Sequence, residues 1–177
     1  MKNNSILWFS IIVSLLVSSP VQADVKVRFF EGAPKDQFAI TNESDCDWGA
    51  RRLEIDFSDS NGRLIFDVTG SGADVEVFPP LEVTAGAERL VEQPKISDGD
   101  QIITLVMSGL GVDETIEFTT DVDDTNGSRE ITAANDEING KIVTIFRDGS
   151  TFSAKMDADA QVVITKSNFA SQVSNTL

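Results

Sequence analysis

The sequence predicts an all-β protein, a two-sheet antiparallel β-sandwich of about ten short strands. Short segments with alternating or continuous apolar side chains recur about every ten residues. They are separated by turn-forming stretches such as Gly109-Leu110-Gly111, Asn126-Gly127 and Asp148-Gly149, which are rich in glycine, asparagine and aspartate, residues that adopt positive φ angles at little cost. No stretch shows a convincing apolar repeat of an amphipathic helix. Strands at this spacing without helices are typical of a sandwich.

The predicted strands follow one another through a single domain that spans residues 24–166. They cover residues 25–30, 37–42, 51–57, 63–69, 75–78, 102–107, 115–122, 141–146, 152–156 and 161–166. The segment Phe78–Val83 contains two prolines, which cannot donate to a sheet ladder, so it is predicted to be a strand edge or a crossover between sheets. Residues 167–177 are predicted to form a flexible C-terminal tail.

The first 23 residues have the features of a cleaved secretory signal peptide. A basic residue, Lys2, precedes an apolar run from Ile6 to Val17, and the small-residue pattern Val21-Gln22-Ala23 follows. The apolar run is too short to span a membrane as a helix. The sequence therefore predicts export to the periplasm or the extracellular space, with no membrane span after cleavage.

The chain is strongly acidic, with 14 basic and 29 acidic residues and a formal net charge of −15. Because Lys2 is the only charged residue of the signal peptide, the processed chain carries 13 basic against 29 acidic residues, a charge of −16. Such a surface repels nucleic acid and anionic membranes and favours cations.

The sequence offers little of the usual machinery of an enzyme. It contains no histidine, which removes the commonest general base and every histidine-dependent triad. Cys46 is the single cysteine, so no intramolecular disulfide can form. No nucleophile elbow or phosphate-binding loop is present. We therefore expect a protein without catalytic activity.

The segment "FTTDVDDTNGSREI", residues 118–131, is the strongest candidate for a site. Asp121 and Asp123 lie two positions apart on a predicted strand, so they share a face, and Asp124 enters the following loop. Three close carboxylates repel one another unless a positive charge lies among them. Hard cations prefer oxygen ligands, and without histidine or paired cysteines Ca²⁺ is the natural candidate. The predicted ligands are Asp121, Asp123, Asp124, Glu130, Glu31 and Asp36.

Two other interpretations of these acidic residues stay open. Aspartate is common in β-turns for reasons of backbone hydrogen bonding alone. The counter-charge can also be internal, because Arg129 and Lys35 are placed to form salt bridges with the aspartates. The linear EF-hand pattern is absent, so a calcium site here has to be assembled from separate segments.

Several blocks of the sequence resemble small secreted bacterial proteins of the "aggregation factor core" family, named after the core protein of sponge aggregation factors. The resemblance runs from about Val25 to Ile145. It is found in the blocks "RFFEGAPKDQFAITN", "GRLIFDVTGSGADVEVFPPLEV", "SDGDQIITLVMSGL", "FTTDVDDTNGSREI" and "EINGKIVTI". It implies a secreted, β-rich module for calcium-dependent adhesion, aggregation or matrix structure, with extracellular carbohydrate or protein, or a second copy, as the partner.

The residues leave two other functions open. One is a carbohydrate-binding module in which the metal is structural, which exposed aromatic side chains in a groove would favour. The other is a small hydrolase that uses two carboxylates, which a pair of carboxylates in a closed cleft would favour.

Overall fold

The computed structural model describes residues 24–60, 64–68, 80–125, 133–147 and 149–165. Within them, ten β-strands form two antiparallel sheets, and the predicted all-β two-sheet sandwich is confirmed. The strands are β1 (Val25–Phe30), β2 (Asp36–Asn42), β3 (Trp48–Asp56), β4 (Ile65–Asp67), β5 (Glu82–Ala85), β6 (Ile102–Leu110), β7 (Thr115–Asp123), β8 (Ile142–Arg147), β9 (Ser150–Lys155) and β10 (Gln161–Ile164). A 3₁₀ turn (Ala87–Arg89) and a single-turn helix α1 (Asn135–Ile138) complete the described elements.

The first sheet has the strand order β10-β1-β2-β7, and both β4 and β5 pair with the far edge of β7. The strand β5 lies beside Glu117–Thr119, and β4 lies beside Asp121–Asp123. The long strand β7 therefore has two short partner strands, β5 and β4, placed end to end along one edge. This arrangement brings the end of β4 next to the acidic end of β7.

The second sheet has the order β6-β3-β8-β9. Within the described chain, β1–β2 and β8–β9 are sequential strands that pair as hairpins, β4 and β5 both pair with β7, and the other consecutive strands lie in different sheets. Gly149, with a φ angle of 77°, lies in the β8–β9 turn, where glycine tolerates this conformation at no steric cost.

Alternating apolar side chains from both sheets form one core. In the first sheet Phe38 of β2 and Phe118 of β7 lie opposite each other, with ring centroids 4.9 Å apart and planes 13° from parallel. Phe57 and Phe66 extend this aromatic cluster. Fully buried aromatic side chains contribute several kcal/mol each to folding, since Phe→Ala substitutions in cores cost about 3–5 kcal/mol. The core fixes the strand positions on which the polar sites depend.

Asn42 closes one end of this core at the connection between the sheets. Its side-chain Nδ2 lies 2.9 Å from the carbonyl oxygens of Cys46 and Leu110 and 3.0 Å from that of Gly111, and it donates to these carbonyls. Cys46 is half-buried in the same loop, with its Sγ atom 3.9 Å from Ser44 Oγ.

Most strand predictions agree with the structure, but some bounds differ. The strand β6 continues through Gly109 to Leu110, where the sequence predicted a turn, because Leu110 pairs with Trp48 of β3. The segment Phe78–Val83 was predicted to be a strand edge or a crossover, and β5 begins inside it at Glu82, on the edge of β7. The predicted strand 75–78 lies outside the described residues, as do residues 1–23 and the tail 167–177.

Among the described residues, no helix is long and apolar enough to cross a membrane.

Candidate metal centre

Three aspartates from two paired strands converge at one end of the first sheet. Asp67 of β4 lies directly opposite Asp121 of β7 in the antiparallel register. Asp123 lies two positions further along β7. One carboxylate oxygen of each lies within 4.8 Å of the other two. We refer to Asp67, Asp121 and Asp123 as the acidic trio.

The alternation of β7 explains why the trio shares one face. Phe118, Thr120 and Val122 are fully buried and point toward the core, so Asp121 and Asp123 point the other way. The adjacent strand β4 repeats the pattern, with Phe66 in the core and Asp67 beside Asp121. Residues opposite each other on neighbouring strands place their side chains on the same face.

The trio is shielded from water to an unusual degree for carboxylates. Asp67 is only 2% exposed and Asp123 is 4% exposed, while Asp121 is half-buried. Aspartate is almost never buried unless it is paired or coordinates an ion. Burial and the nearby charge of Asp67 together raise the pKa of Asp121 from its ordinary 3.8 to about 6.

Asp36 lies close to the trio but has a different environment. Its side chain is fully buried at the start of β2, opposite Thr120. Its two oxygens accept hydrogen bonds from the backbone N–H groups of Gly32 and Val122, each at 3.0 Å. Burial raises the pKa of Asp36 to about 7, and the charges of Asp121 and Asp123 also raise it, while the two hydrogen bonds act in the opposite direction. Asp36 therefore ties the Gly32 loop to β7 and adds a fourth carboxyl beside the trio.

Two of the other predicted ligands, Asp124 and Glu31, do not join the trio. Asp124 is directed toward Glu137 of α1, and its hydrogen bond and charge help to raise the pKa of Glu137, which burial raises most. Glu31 is exposed and lines a separate cavity beside Phe30. Glu130 lies outside the described residues. Of the six predicted ligands, the structure thus brings together Asp121 and Asp123, with Asp36 next to them.

The two predicted internal counter-charges have different outcomes. Lys35 forms an ion pair with Glu82 at 3.3 Å and donates to the carbonyl oxygen of Pro80, so its described partner is a glutamate of β5 and no aspartate of the trio. Arg129 lies outside the described residues.

Asp67 was not among the six predicted ligands, although its segment was one of several acidic segments in the sequence. The residue lies inside the predicted strand 63–69, and one aspartate near the end of a strand is a weak signal alone. Its significance comes from pairing with Asp121, which is distant in sequence. A search for acidic residues that share register on neighbouring strands is the signal that could have found it.

The acidic trio has the chemistry of a hard-cation site. Two oxygens on opposite sides of a Ca²⁺ ion at a typical Ca–O distance of about 2.4 Å are about 4.8 Å apart, so one ion can contact all three carboxylates. Three carboxylates supply three to six of the six to eight oxygens that Ca²⁺ takes, and carbonyl groups or water can supply the rest. No thiolate or imidazole is part of the trio, so the donor set does not suit zinc or copper.

Two open cavities lie away from the trio. The first, of about 490 Å³, is lined by Arg28, Phe30, Glu31, Asn135 and Asp159. The second, of about 420 Å³, lies at the β8–β9 turn and is lined by arginines of β3 and β8. Neither of these cavities is lined by a residue of the trio or by Asp36.

Fold and site together define an all-β sandwich with a partly buried acidic cluster at the end of one sheet. Comparisons with protein-family models, with curated proteins and with solved structures find no match.

Proposed function

We propose that this protein is an exported, non-enzymatic β-sandwich that binds Ca²⁺ at the acidic trio and acts as a calcium-dependent adhesion, aggregation or matrix module. One observation supports the cation site most directly. Three carboxylates from two strands place oxygens within 4.8 Å of one another, although two of the three side chains are almost fully buried. Buried like charges this close are costly unless a cation, a proton or an internal basic residue compensates them.

The position of the trio supports a structural use of the cation. An ion held by Asp67, Asp121 and Asp123 joins β4 to β7 and orders the end of β7, where the chain leaves the sheet. A ligand that binds the folded state alone stabilises it, so loading the site strengthens this end of the sandwich. The adhesive role rests on the resemblance of the sequence blocks and on the predicted signal peptide.

The absence of catalysis is proposed from the residues available. Asp36 has a pKa raised to about 7, but its side chain is fully buried and accepts hydrogen bonds from two backbone N–H groups, so it cannot contact a substrate. Asp121 is the partly exposed carboxyl of the acidic trio, and its neighbours are the two other carboxylates of the trio. A shared cation accounts for this set better than a general acid and base do.

The adhesive function is tested with beads coated with the purified protein. We expect the beads to cluster in millimolar Ca²⁺, to disperse in chelator, and to stay dispersed when they carry Asp121→Asn. A matched control is Asp47→Asn, which changes an exposed loop aspartate and should cluster as the unchanged protein does. The proposal would be contradicted if beads in Ca²⁺ neither cluster with one another nor bind bacterial cells or extracellular polysaccharide.

A carbohydrate-binding module is the second candidate, and the first cavity favours it. Phe30 is 38% exposed there, and the guanidinium of Arg28 lies 4.6 Å from the centre of its ring. Planar polar groups of Glu31, Asn135 and Asp159 line the same cavity. Saccharide sites commonly combine an apolar ring with a few placed polar groups.

This second function is tested on an array of neutral and acidic oligosaccharides. Binding that is lost in Phe30→Ala and kept in Asp121→Asn would assign recognition to the first cavity. Binding that is equal in Phe30→Ala and the unchanged protein would reject it.

A further inference from the structure

The backbone of Val122 holds two walls of the first cavity. Its N–H donates to Oδ2 of Asp36 at 3.0 Å, and its carbonyl oxygen accepts a hydrogen bond from the N–H of Ala133 at 2.9 Å. Val122 lies between Asp121 and Asp123 on β7, which are two residues of the acidic trio. The short piece of backbone that carries these two carboxylates therefore also supports the cavity.

The first wall is the tight loop that follows β1. The fully buried carboxylate of Asp36 accepts one hydrogen bond from Val122 and another, also at 3.0 Å, from the N–H of Gly32 in this loop. A Cβ atom added at Gly32 would overlap the carbonyl oxygen of Lys35, so the loop folds back closely on the residue before β2. Residues 30–33 line the cavity. One side chain thus joins this wall to β7.

The second wall is the segment that leads into α1. Ala133 is bound to Val122, and the N–H of the next residue, Ala134, donates to Oε2 of Glu137 at 2.8 Å. Glu137 is also hydrogen-bonded to Asp124, which follows Asp123 in the chain. Asn135, the first residue of α1, lines the cavity. This wall therefore has two connections to the end of β7.

The third side of the cavity has a different support. Asp159 lies in the turn before β10, and the carbonyl oxygen of the next residue, Ala160, accepts a hydrogen bond from the N–H of Phe29 at 2.9 Å. This hydrogen bond joins β1 to the turn and does not involve β7. Two sides of the cavity thus follow the end of β7, while the third is held by β1, so the shape of the cavity depends on how firmly the end of β7 is fixed.

From this arrangement we propose that the first cavity is a calcium-regulated binding site for a small hydroxyl-rich ligand of the saccharide class. The inference rests on the cation site proposed above. A cation held by Asp121 and Asp123 fixes the backbone of Val122 between them, and Val122 then orders both walls. A ligand that enters a cavity with ordered walls loses less conformational entropy on binding, so the two sites favour each other.

Amide hydrogen exchange, followed by nuclear magnetic resonance on the isotopically labelled protein in chelator and in Ca²⁺, tests the coupling without a cavity ligand. We expect Ca²⁺ to slow the exchange of the Gly32 and Ala133 amides about tenfold, because local opening of both hydrogen bonds is restricted. The control amide is Asp113, which donates to the carbonyl oxygen of Asn42 at 3.0 Å at the opposite end of the sheet. Its exchange should change by less than about twofold.

Asp36→Asn separates the coupling from the cation site. An asparagine side chain has one acceptor oxygen, so it cannot hold both N–H groups as the carboxylate does. We expect this variant to keep saturable calcium-dependent shifts of the Asp121 and Asp123 amides and to lose the slowing at Gly32. The matched control, Asp47→Asn, should keep both. If Asp36→Asn does not fold, Glu137→Ala changes a half-buried side chain and should weaken the slowing at Ala133 while leaving it at Gly32.

The regulated ligand is tested with the oligosaccharide array in Ca²⁺ and in chelator. Binding that requires Phe30 should be roughly tenfold weaker in chelator, and Asp121→Asn in Ca²⁺ should bind as weakly as the unchanged protein does in chelator. No binding of any oligosaccharide in Ca²⁺, or equal affinity in Ca²⁺ and chelator, would overturn the regulated saccharide site.

Failure of the coupling can be told apart from failure of the cation site. Saturable calcium shifts at Asp121 and Asp123 without slowing at Gly32 or Ala133 would overturn the coupling and leave the cation site. Slowing at Gly32 that persists in folded Asp36→Asn would also overturn the coupling through Asp36. The absence of any saturable calcium shift would overturn both.

Discussion

Asp67 and Asp121 face each other across the β4–β7 pair, and each has a carboxylate oxygen within 4.8 Å of an oxygen of Asp123. Like charges at directly opposed positions of a sheet are destabilising, and burial increases that cost. The pair can be stabilised by a cation, by a proton or by an internal basic residue. These three alternatives differ in their response to calcium, to pH and to substitution.

Removal of one carboxylate should abolish the calcium response. A hundredfold excess of Ca²⁺ over its dissociation constant stabilises the folded state by roughly 2.7 kcal/mol, which raises the melting temperature of a domain of this size by about 6–10 °C. Asp67→Asn and Asp121→Asn should each lose most of this increment, and in chelator each should be as stable as the unchanged protein or more so, because repulsion is relieved. Thermal unfolding with Ca²⁺ and with chelator measures both quantities.

The control for these variants is Asp47→Asn, in an exposed loop, which should keep the full calcium response. The internal ion pair predicts the opposite pattern. There would be no response to calcium, and Asp67→Asn or Asp121→Asn would lower the melting temperature in chelator.

The metal-free protein should become less stable as the pH rises from about 4 to about 7. The pKa values of Asp36 and Asp121 are raised from 3.8 to about 7 and about 6, so between these values the folded state binds more protons than the unfolded state. Stability then falls with pH across that window and levels off above it. Because Ca²⁺ competes with protons for carboxylates, the stabilisation by calcium should grow over the same window.

Melting temperatures measured in chelator and in Ca²⁺ from pH 4 to pH 8 test this dependence. Asp121→Asn should flatten the metal-free slope between about pH 4 and pH 6 and leave the contribution of Asp36 up to about pH 7, and Asp47→Asn should leave the whole slope as it is. If the metal-free protein instead became more stable from pH 4 to pH 7, and Asp121→Asn removed part of that rise, the raised pKa values of Asp36 and Asp121 would be contradicted.

Gly86 should be intolerant of a side chain. Its φ angle is 69°, and a Cβ atom there would lie 2.5 Å from the carbonyl oxygen of Thr115 at the start of β7. We expect Gly86→Ala to cost about 2–4 kcal/mol, from the left-handed conformation and from overpacking together. Gly99 is the matched control, since its φ angle is 82° with nothing within 4 Å of an added Cβ.

Urea unfolding compares the two glycine variants. Gly99→Ala should lose about 1–2 kcal/mol, the cost of the backbone conformation alone. Equal losses in the two variants would show that contact with β7 does not restrict Gly86.

Exported protein should begin at Asp24. The small residues Val21-Gln22-Ala23 before it match a signal-peptidase site. Amino-terminal sequencing of protein from the periplasm or the medium measures this directly. A chain that still begins at Met1, or that carries a lipid, would contradict the predicted export route.

Local patterns were sufficient to predict most of the fold. Alternation in "TIEFTTDV" placed Phe118 in the core and Asp121 on the opposite face, because side chains alternate along any strand. The predicted turn at Gly109 was wrong, because local turn propensity was overridden by the pairing of Gly109 and Leu110 with β3.

The candidate site was predicted only in part, since its geometry depends on contacts between distant segments. Asp121 and Asp123 were found from their spacing on one strand. Asp67 joins them through the β4–β7 register, and Asp124 is drawn away toward Glu137 of α1. No local pattern contains either relationship. Glu31 was grouped with the metal ligands because of its charge, whereas in the structure it lines a separate cavity beside Phe30.

Calorimetric titration of the chelator-treated protein with Ca²⁺ tests the central claim most directly. We predict saturable binding of one ion per chain, with release of protons that is greater at pH 6 than at pH 8, and loss of the binding heat in Asp67→Asn and Asp121→Asn. The absence of a saturable heat up to millimolar Ca²⁺ at pH 8, in protein shown to be folded, would contradict the claim that the acidic trio is a calcium site.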